Sequence, residues 1–140
     1  MMEQKLMDTM DFELAMLIRR ALSVQSEMRL GKLDRAAYLL LYLLKNKSPM
    51  GIKAIAEELR LDGSTISRQI ASIEAKGYVE RLPDPKDGRA SLIQITPAGM
   101  DEFMLAKTAR VQRFEEIFES WTEEEMVQFT TYLARLNHAE

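Results

Sequence analysis

Two short apolar stripes, set close together in the chain, constrain it more than any other feature. Ile52, Ile55, Ala56 and Leu59 recur at i, i+3, i+4 and i+7, the spacing of one helix face, with Lys53, Glu57 and Glu58 on the other side. Three residues later Asp62 is placed to cap a second helix. Ile66, Ile70 and Ile73 mark its buried face to about Lys76, and Gly77 follows as a C-terminal stop. Two helices this short, joined by so tight a connection, predict a helix-turn-helix.

The residues after Gly77 change period. Residues 78–82 and 91–95 are rich in β-branched and aromatic side chains and read as two strands. Between them, residues 83–90 hold two prolines, two aspartates and a glycine, which is turn chemistry throughout. A two-stranded hairpin directly after a helix-turn-helix makes a wing. Further helices flank this unit. Residues 9–28 carry Leu14, Leu17, Ile18, Ala21 and Leu22 at helical spacing, with Asp8, Thr9 and Asp11 as candidate starts and a break at Gly31. Asp34 caps residues 35–46, whose run of leucines is apolar on most sides and predicts a helix inside the core. Thr96-Pro97 opens a long helix with the stripe Met100, Phe103, Val111, Phe114, Phe118 and Trp121. Thr122-x-x-Glu125 is a capping box for the last helix, with Met126, Phe129, Leu133 and Leu136 on one face. The fold class expected is mostly α with a small β wing (α+β).

Composition narrows the chemistry. At 140 residues the chain suits one compact domain or a short domain with helical extensions. It has no cysteine, which removes thiolate metal sites, cysteine nucleophiles and thiol redox sensing. Its one histidine, His138, sits two residues from the end, so neither a His-rich metal site nor a Ser-His-Asp triad is expected. No convergent acid, base or nucleophile set marks an enzyme, and no cofactor or metal is expected. The longest apolar run, residues 36–44, is too short to span a bilayer, so a soluble cytoplasmic chain is the expectation. Ten methionines is a high count; Met16, Met100, Met104 and Met126 are read as gap-filling core rather than a pocket. The net charge of −3 conceals an asymmetry: −2 over residues 1–28, +4 over 29–97 and −5 over 98–140. A basic middle between acidic ends fits a central segment that meets a polyanion.

The outer side of the second helix in the pair carries the functional signal. Removing the isoleucines leaves Ser64, Thr65, Ser67, Arg68, Gln69 and Ser72 on or near it. Small hydroxyls let a helix enter the major groove closely and bond phosphates or base edges. Arg pairs with guanine O6/N7 and Gln with adenine N6/N7. A merely solvated face would carry more Glu and Lys. On the wing, Lys86 and Arg89 stand at the tip, where an arginine can enter a narrow A·T-rich minor groove. Asp87 is expected to orient Arg89 by an ion pair.

Four segments then resemble the core of a MarR-family (multiple antibiotic resistance) winged-helix regulator. They are Leu61-Asp62-Gly63-Ser64-Thr65-Ile66-Ser67-Arg68, Ile73-Glu74-Ala75-Lys76-Gly77-Tyr78-Val79-Glu80-Arg81, Asp84-Pro85-Lys86-Asp87-Gly88-Arg89, and Leu92-Ile93-Gln94-Ile95-Thr96-Pro97-Ala98-Gly99. The resemblance is densest over residues 52–99. It implies a homodimer on a roughly palindromic double-stranded DNA operator, with dimerisation helices in 1–30 and 98–140 flanking a DNA-binding region, 31–97. It places base and phosphate contacts on Ser64, Thr65, Ser67 and Arg68, and the wing Asp-x-Arg on Asp87 and Arg89. Many relatives are repressors released by a small phenolic or lipophilic effector. Gly88 departs from the pattern where a second Arg is frequent, and Gln69 and Ser72 where an apolar and a basic residue are frequent. The competing reading is a winged-helix protein-interaction module in a larger assembly, without specific DNA binding.

Overall fold

The computed structural model describes residues 2–27 and 33–140. The elements run α1 (Met2–Glu27), α2 (Arg35–Lys47), β1 (Met50–Gly51), α3 (Ile52–Leu59), α4 (Gly63–Ala75), β2 (Val79–Asp84), β3 (Asp87–Ile95), α5 (Pro97–Ile117) and α6 (Glu123–Asn137). The mostly helical fold with a small β wing is the expected class. Among the described residues no helix is long and apolar enough to cross a membrane, and no group of His, Asp or Glu is placed to hold a metal ion.

The chain divides into two compact units, Met1–Lys107 and Thr108–Glu140. The core of the first is built from α2 (Leu40, Leu41, Leu44), α3 (Ile55, Ala56), α4 (Ile66, Ile70, Ile73), the hairpin (Tyr78, Val79, Ile93) and Phe103 of α5. The three α4 isoleucines are the residues the periodicity selects. Burying each stabilises the fold by about 1.5–3 kcal/mol relative to exposure. The helix α2 shows a narrower buried face than its leucine run predicts, for Leu39 and Tyr42 remain exposed. Its start is as expected: the Asp34 carboxylate accepts from the Ala37 N–H at 2.8 Å.

Several expectations need correction. The helix α1 begins at Met2 rather than near residue 9, because Glu3, Gln4, Lys5, Leu6 and Met7 are good helix formers with no Gly or Pro among them. The Thr9 hydroxyl donates back to the Lys5 carbonyl at 3.0 Å instead of capping a terminus. The end of this helix at Met28, the break at Gly31 and the side chains of Ala21 and Leu22 lie outside the described residues. Second, the sheet has three strands, in the order β1-β3-β2. Ser48 is extended, as a residue before proline prefers to be, and leads into β1, where Met50 pairs with Ile93 and Gly51 with Leu92. The Ser48 hydroxyl also accepts from the Ile95 N–H at 3.2 Å. Third, α5 stops at Ile117, so its apolar stripe does not run as one face. Phe103 is buried, Val111 and Phe114 are exposed, and Phe118 and Trp121 lie beyond the helix. In the second unit these last two pack with Phe129 in edge-on and tilted contacts, ring centroids 4.8–5.8 Å apart. These four methionines are not core: Met16 and Met104 are exposed, and Met100 and Met126 half-buried.

The junction between α4, β2 and α5 is tightly specified. Gly77 has φ +80°, the left-handed conformation that ends α4. The Thr96 hydroxyl donates to the Gly77 carbonyl at 2.6 Å and accepts from the Gly99 N–H at 3.0 Å, while the Thr96 N–H donates to the Tyr78 carbonyl at 3.0 Å. Gly99 is buried so closely on Tyr78 that a Cβ there would collide with the Tyr78 carbonyl oxygen. Gly99→Ala should therefore destabilise the protein by about 1–3 kcal/mol, although alanine is ordinarily the better helix former by about 1 kcal/mol. Urea unfolding measures this, and an unchanged or raised midpoint would contradict it.

The helix α6 starts with the full capping box: Thr122 Oγ1 accepts from the Glu125 N–H at 3.1 Å and Glu125 accepts from the Thr122 N–H at 2.8 Å. Those bonds, the backbone one foremost, hold the Glu125 carboxyl below its ordinary value. A depressed carboxyl stabilises the fold above its unfolded value, about 4.3 for Glu, and loses that contribution as the pH falls below it. Glu125→Gln keeps an acceptor in the box without the titration. Its thermal midpoint should fall less steeply from pH 5 to pH 3 than that of the parent protein. Parallel curves would show that the box adds nothing titratable.

Candidate nucleic-acid interface

The turn of the helix-turn-helix is made without glycine. Arg60 adopts φ 55°, ψ 44° at the end of α3, where its N–H donates to the Glu57 carbonyl and the Leu61 N–H to the Ala56 carbonyl. This tight reversal brings Asp62 to the head of α4. With Ile66, Ile70 and Ile73 turned inward, Ser64, Arg68 and Ser72 fall at i, i+4 and i+8 and form one exposed line. Thr65, Ser67 and Gln69 flank it and are half-buried. Among the described residues, the side chains of Ser67, Arg68 and Ser72 make no hydrogen bond or ion pair within the chain. Ala71 is also exposed on this side, a small residue that leaves room for close approach; its side chain carries no polar signal that sequence reading could use.

Gln69 departs from the rest of the set. It lines a cleft of about 570 Å³ with Arg35, Ala36, Leu39, Leu59 and Leu61, at the edge of the α4 face rather than along its exposed line.

At the head of α4 a single carboxylate gathers three donors. Asp62 Oδ1 accepts from the Ser64 hydroxyl at 2.6 Å and from the Thr65 N–H at 2.7 Å, and Oδ2 accepts from the Thr65 hydroxyl at 2.8 Å. These bonds, the Ser64 hydroxyl's first, hold Asp62 far below the ordinary carboxylate range, so it is ionised and can only accept. Capping was legible in the sequence. The capture of both hydroxyl protons was not.

The wing is more strand and less loop than the sequence implies. Its strands run in to Asp84 and out from Asp87, leaving only Pro85 and Lys86 as the turn. Pro83 is tolerated inside β2 because β2 is an edge strand. Asp84 pairs with Asp87 while Pro83 pairs with Ser91, so Gly88, Arg89 and Ala90 bulge from β3. The Lys86 N–H donates to Asp84 Oδ1 at 2.9 Å, and the Arg89 N–H to Asp87 Oδ1 at 3.0 Å. Asp87 thus grips the main chain of Arg89. The expected ion pair between their side chains is absent among the described residues. Lys86 and Arg89 are both exposed. Behind the wing, Arg81 and Glu74 join β2 to α4 through bonds of 3.1 and 3.2 Å.

The model of the MarR family matches residues 33–91, which hold α2 through most of β3. Across 140 residues the chain is 40% identical to the uncharacterized HTH-type transcriptional regulator YxaD of Bacillus subtilis (strain 168), covering 99% of this chain and 98% of the relative. Among solved structures, FabT of Streptococcus pneumoniae in complex with DNA matches with a TM-score of 0.77 at 19% identity, over 92% of this chain and 93% of that one. The PcaV transcriptional regulator of Streptomyces coelicolor, in complex with its natural ligand, matches with a TM-score of 0.76 at 21% identity, over 90% of each chain. At such identities the two structures speak for the fold, and the full-length relationship to YxaD speaks for the family. The chain belongs to the MarR family and is a DNA-binding transcriptional regulator with a winged helix-turn-helix, not an enzyme.

Proposed function

We propose that the chain is a cytoplasmic repressor that binds a roughly palindromic operator as a homodimer. In this reading α4 enters the major groove with Ser64, Thr65, Ser67, Arg68 and Ser72 toward the DNA, and Gln69 at the margin. The wing carries Lys86 and Arg89 to the flanking minor groove. The observation that carries the proposal is the exposed line on α4: a free guanidinium between small hydroxyls, on a helix whose opposite side is locked into the core. Residues 1–30 and 98–140 supply the dimer interface. In the first unit α1 leaves Leu14, Leu17 and Ile18 exposed at 37%, 44% and 64%, an apolar face with no partner within the described chain. In the second, Leu136 and Val127 of α6 are exposed as well. A small-molecule effector fits the reading, lipophilic or phenolic as the family resemblance implies; the structurally similar PcaV binds a natural ligand.

Fragments of the source genome retained by the protein give the operator. On it, Arg68→Ala should weaken binding by about 1–3 kcal/mol and relax preference at one base pair in each half-site. Unchanged affinity and unchanged base preference would remove Arg68 from the interface.

The wing makes a separate prediction. Arg89→Ala should weaken binding most on operators with A·T-rich flanks, where a narrow minor groove concentrates negative potential. Asp87→Ala should weaken it too, because the bulge that presents Arg89 loses its main-chain anchor. Titrations against operators with A·T-rich and G·C-rich flanks decide the point. Tighter binding by the Asp87 variant would show that charge repulsion outweighs the anchor.

A further inference from the structure

We infer that Asp62 sets the hydrogen-bond polarity of the reading helix, making Ser64 and Thr65 acceptors that select amino-bearing bases and not donors to phosphate. The inference rests on α4 being the major-groove reader and adds what that reader prefers.

The geometry leaves little freedom. An ionised carboxylate has no proton to give, so at 2.6 and 2.8 Å both hydroxyls must be donating to Asp62. Each hydroxyl owns one proton. With that proton committed, Ser64 Oγ and Thr65 Oγ1 present only lone pairs to an approaching molecule. A phosphate oxygen is likewise an acceptor, and it would also meet the negative charge of Asp62 at close range. The head of α4 already carries its own anion, so it is poorly suited to receive one from the backbone of DNA. Major-groove edges are different. Adenine N6 and cytosine N4 donate, whereas guanine O6 and N7 and thymine O4 accept. Two acceptor hydroxyls therefore favour an amino base, A or C, over a keto base, G or T, on the strand they face. Asp62 acts here as a positioning residue through the two side chains that touch the base.

Asparagine at 62 separates this role from simple capping, because Asn and Asp cap helices about equally well. The Thr65 N–H requires an oxygen at the Oδ1 position, so the amide nitrogen must occupy the Oδ2 position, opposite Thr65 Oγ1. That nitrogen donates. Thr65 must then accept from it and turn its own proton outward, reversing its polarity toward DNA. Ser64 keeps its bond to oxygen and serves as an internal reference.

The test is selection of operators randomised over one half-site, with the intact protein, Asp62→Asn, Thr65→Val and Arg68→Ala in parallel. At the base pair that Thr65 faces, the intact protein should prefer A or C over G or T by about three- to tenfold, the worth of one net hydrogen bond. Asp62→Asn should reverse that preference toward G or T with the thermal midpoint little changed. Thr65→Val, which deletes the hydroxyl at nearly constant shape, should level it. An amino preference at the Thr65 base pair that persists in Asp62→Asn, or in Thr65→Val, would overturn the inference while selection that depends on Arg68 left α4 standing as the reader. A keto preference in the intact protein would overturn it too, since the hydroxyls would then have released Asp62 on binding. If the intact protein selected no sequence at all, the reading of α4 itself would fall, and the inference with it.

Discussion

Burial of Ile66, Ile70 and Ile73 fixes the rotation of α4 about its own axis, and the rest of the proposed DNA-reading surface follows from that rotation. A helix held by one apolar face against α2 and α3 can present only the opposite face to a partner. Turning it by one residue, about 100°, would bury Ser67 and Glu74, or Thr65 and Gln69, and expose isoleucine. At about 1.5–3 kcal/mol per isoleucine, the core therefore determines which side chains can meet DNA. It does so although all three are buried.

The same rotation is secured from both ends. Asp62 binds the first turn of α4, and Gly77, in the left-handed conformation, ends it and hands the chain to β2. Thr96 then ties that exit to the start of α5 by bonding both Gly77 and Tyr78, with Gly99 packed flat on the Tyr78 carbonyl. Because β2 and β3 leave directly from this junction, the wing is set relative to α4 by main-chain hydrogen bonds and by the Glu74–Arg81 pair. The two proposed contact regions are thus parts of one rigid arrangement, not independent appendages. Arg89 gains its projection from a bulge held by Asp87 rather than from a long loop.

What could be read from the sequence was whatever repeats over several residues or rests on a local cap. The limits of α3, the buried side of α4, the Thr96-Pro97 start of α5 and the Thr122–Glu125 box all have such signals, and all stand as expected. The strand β1 has only two residues, too few to show alternation, and it exists because β3 supplies its partner. The long turn expected for the wing dissolved for a related reason: edge pairing carries Pro83 and Asp84 into a strand that their propensities oppose. The exposed line of Ser64, Arg68 and Ser72 followed from helical spacing. The side-chain network at Asp62 did not, since which hydroxyl gives its proton to which oxygen depends on coordinates. The Asp87–Arg89 relation was legible as a pairing of residues and misread as to the atoms involved.

The proposed function needs a two-fold arrangement, because one winged helix reads only a few base pairs and two of them about a helical turn apart read a palindrome. The exposed apolar face of α1 is the reason to expect it. Sedimentation of the protein alone, with a palindromic operator and with a single half-site tests it most directly. A dimer in the absence of DNA, two chains on each palindrome and far weaker binding to the half-site are expected. A monomer that binds both DNAs with equal affinity would contradict it.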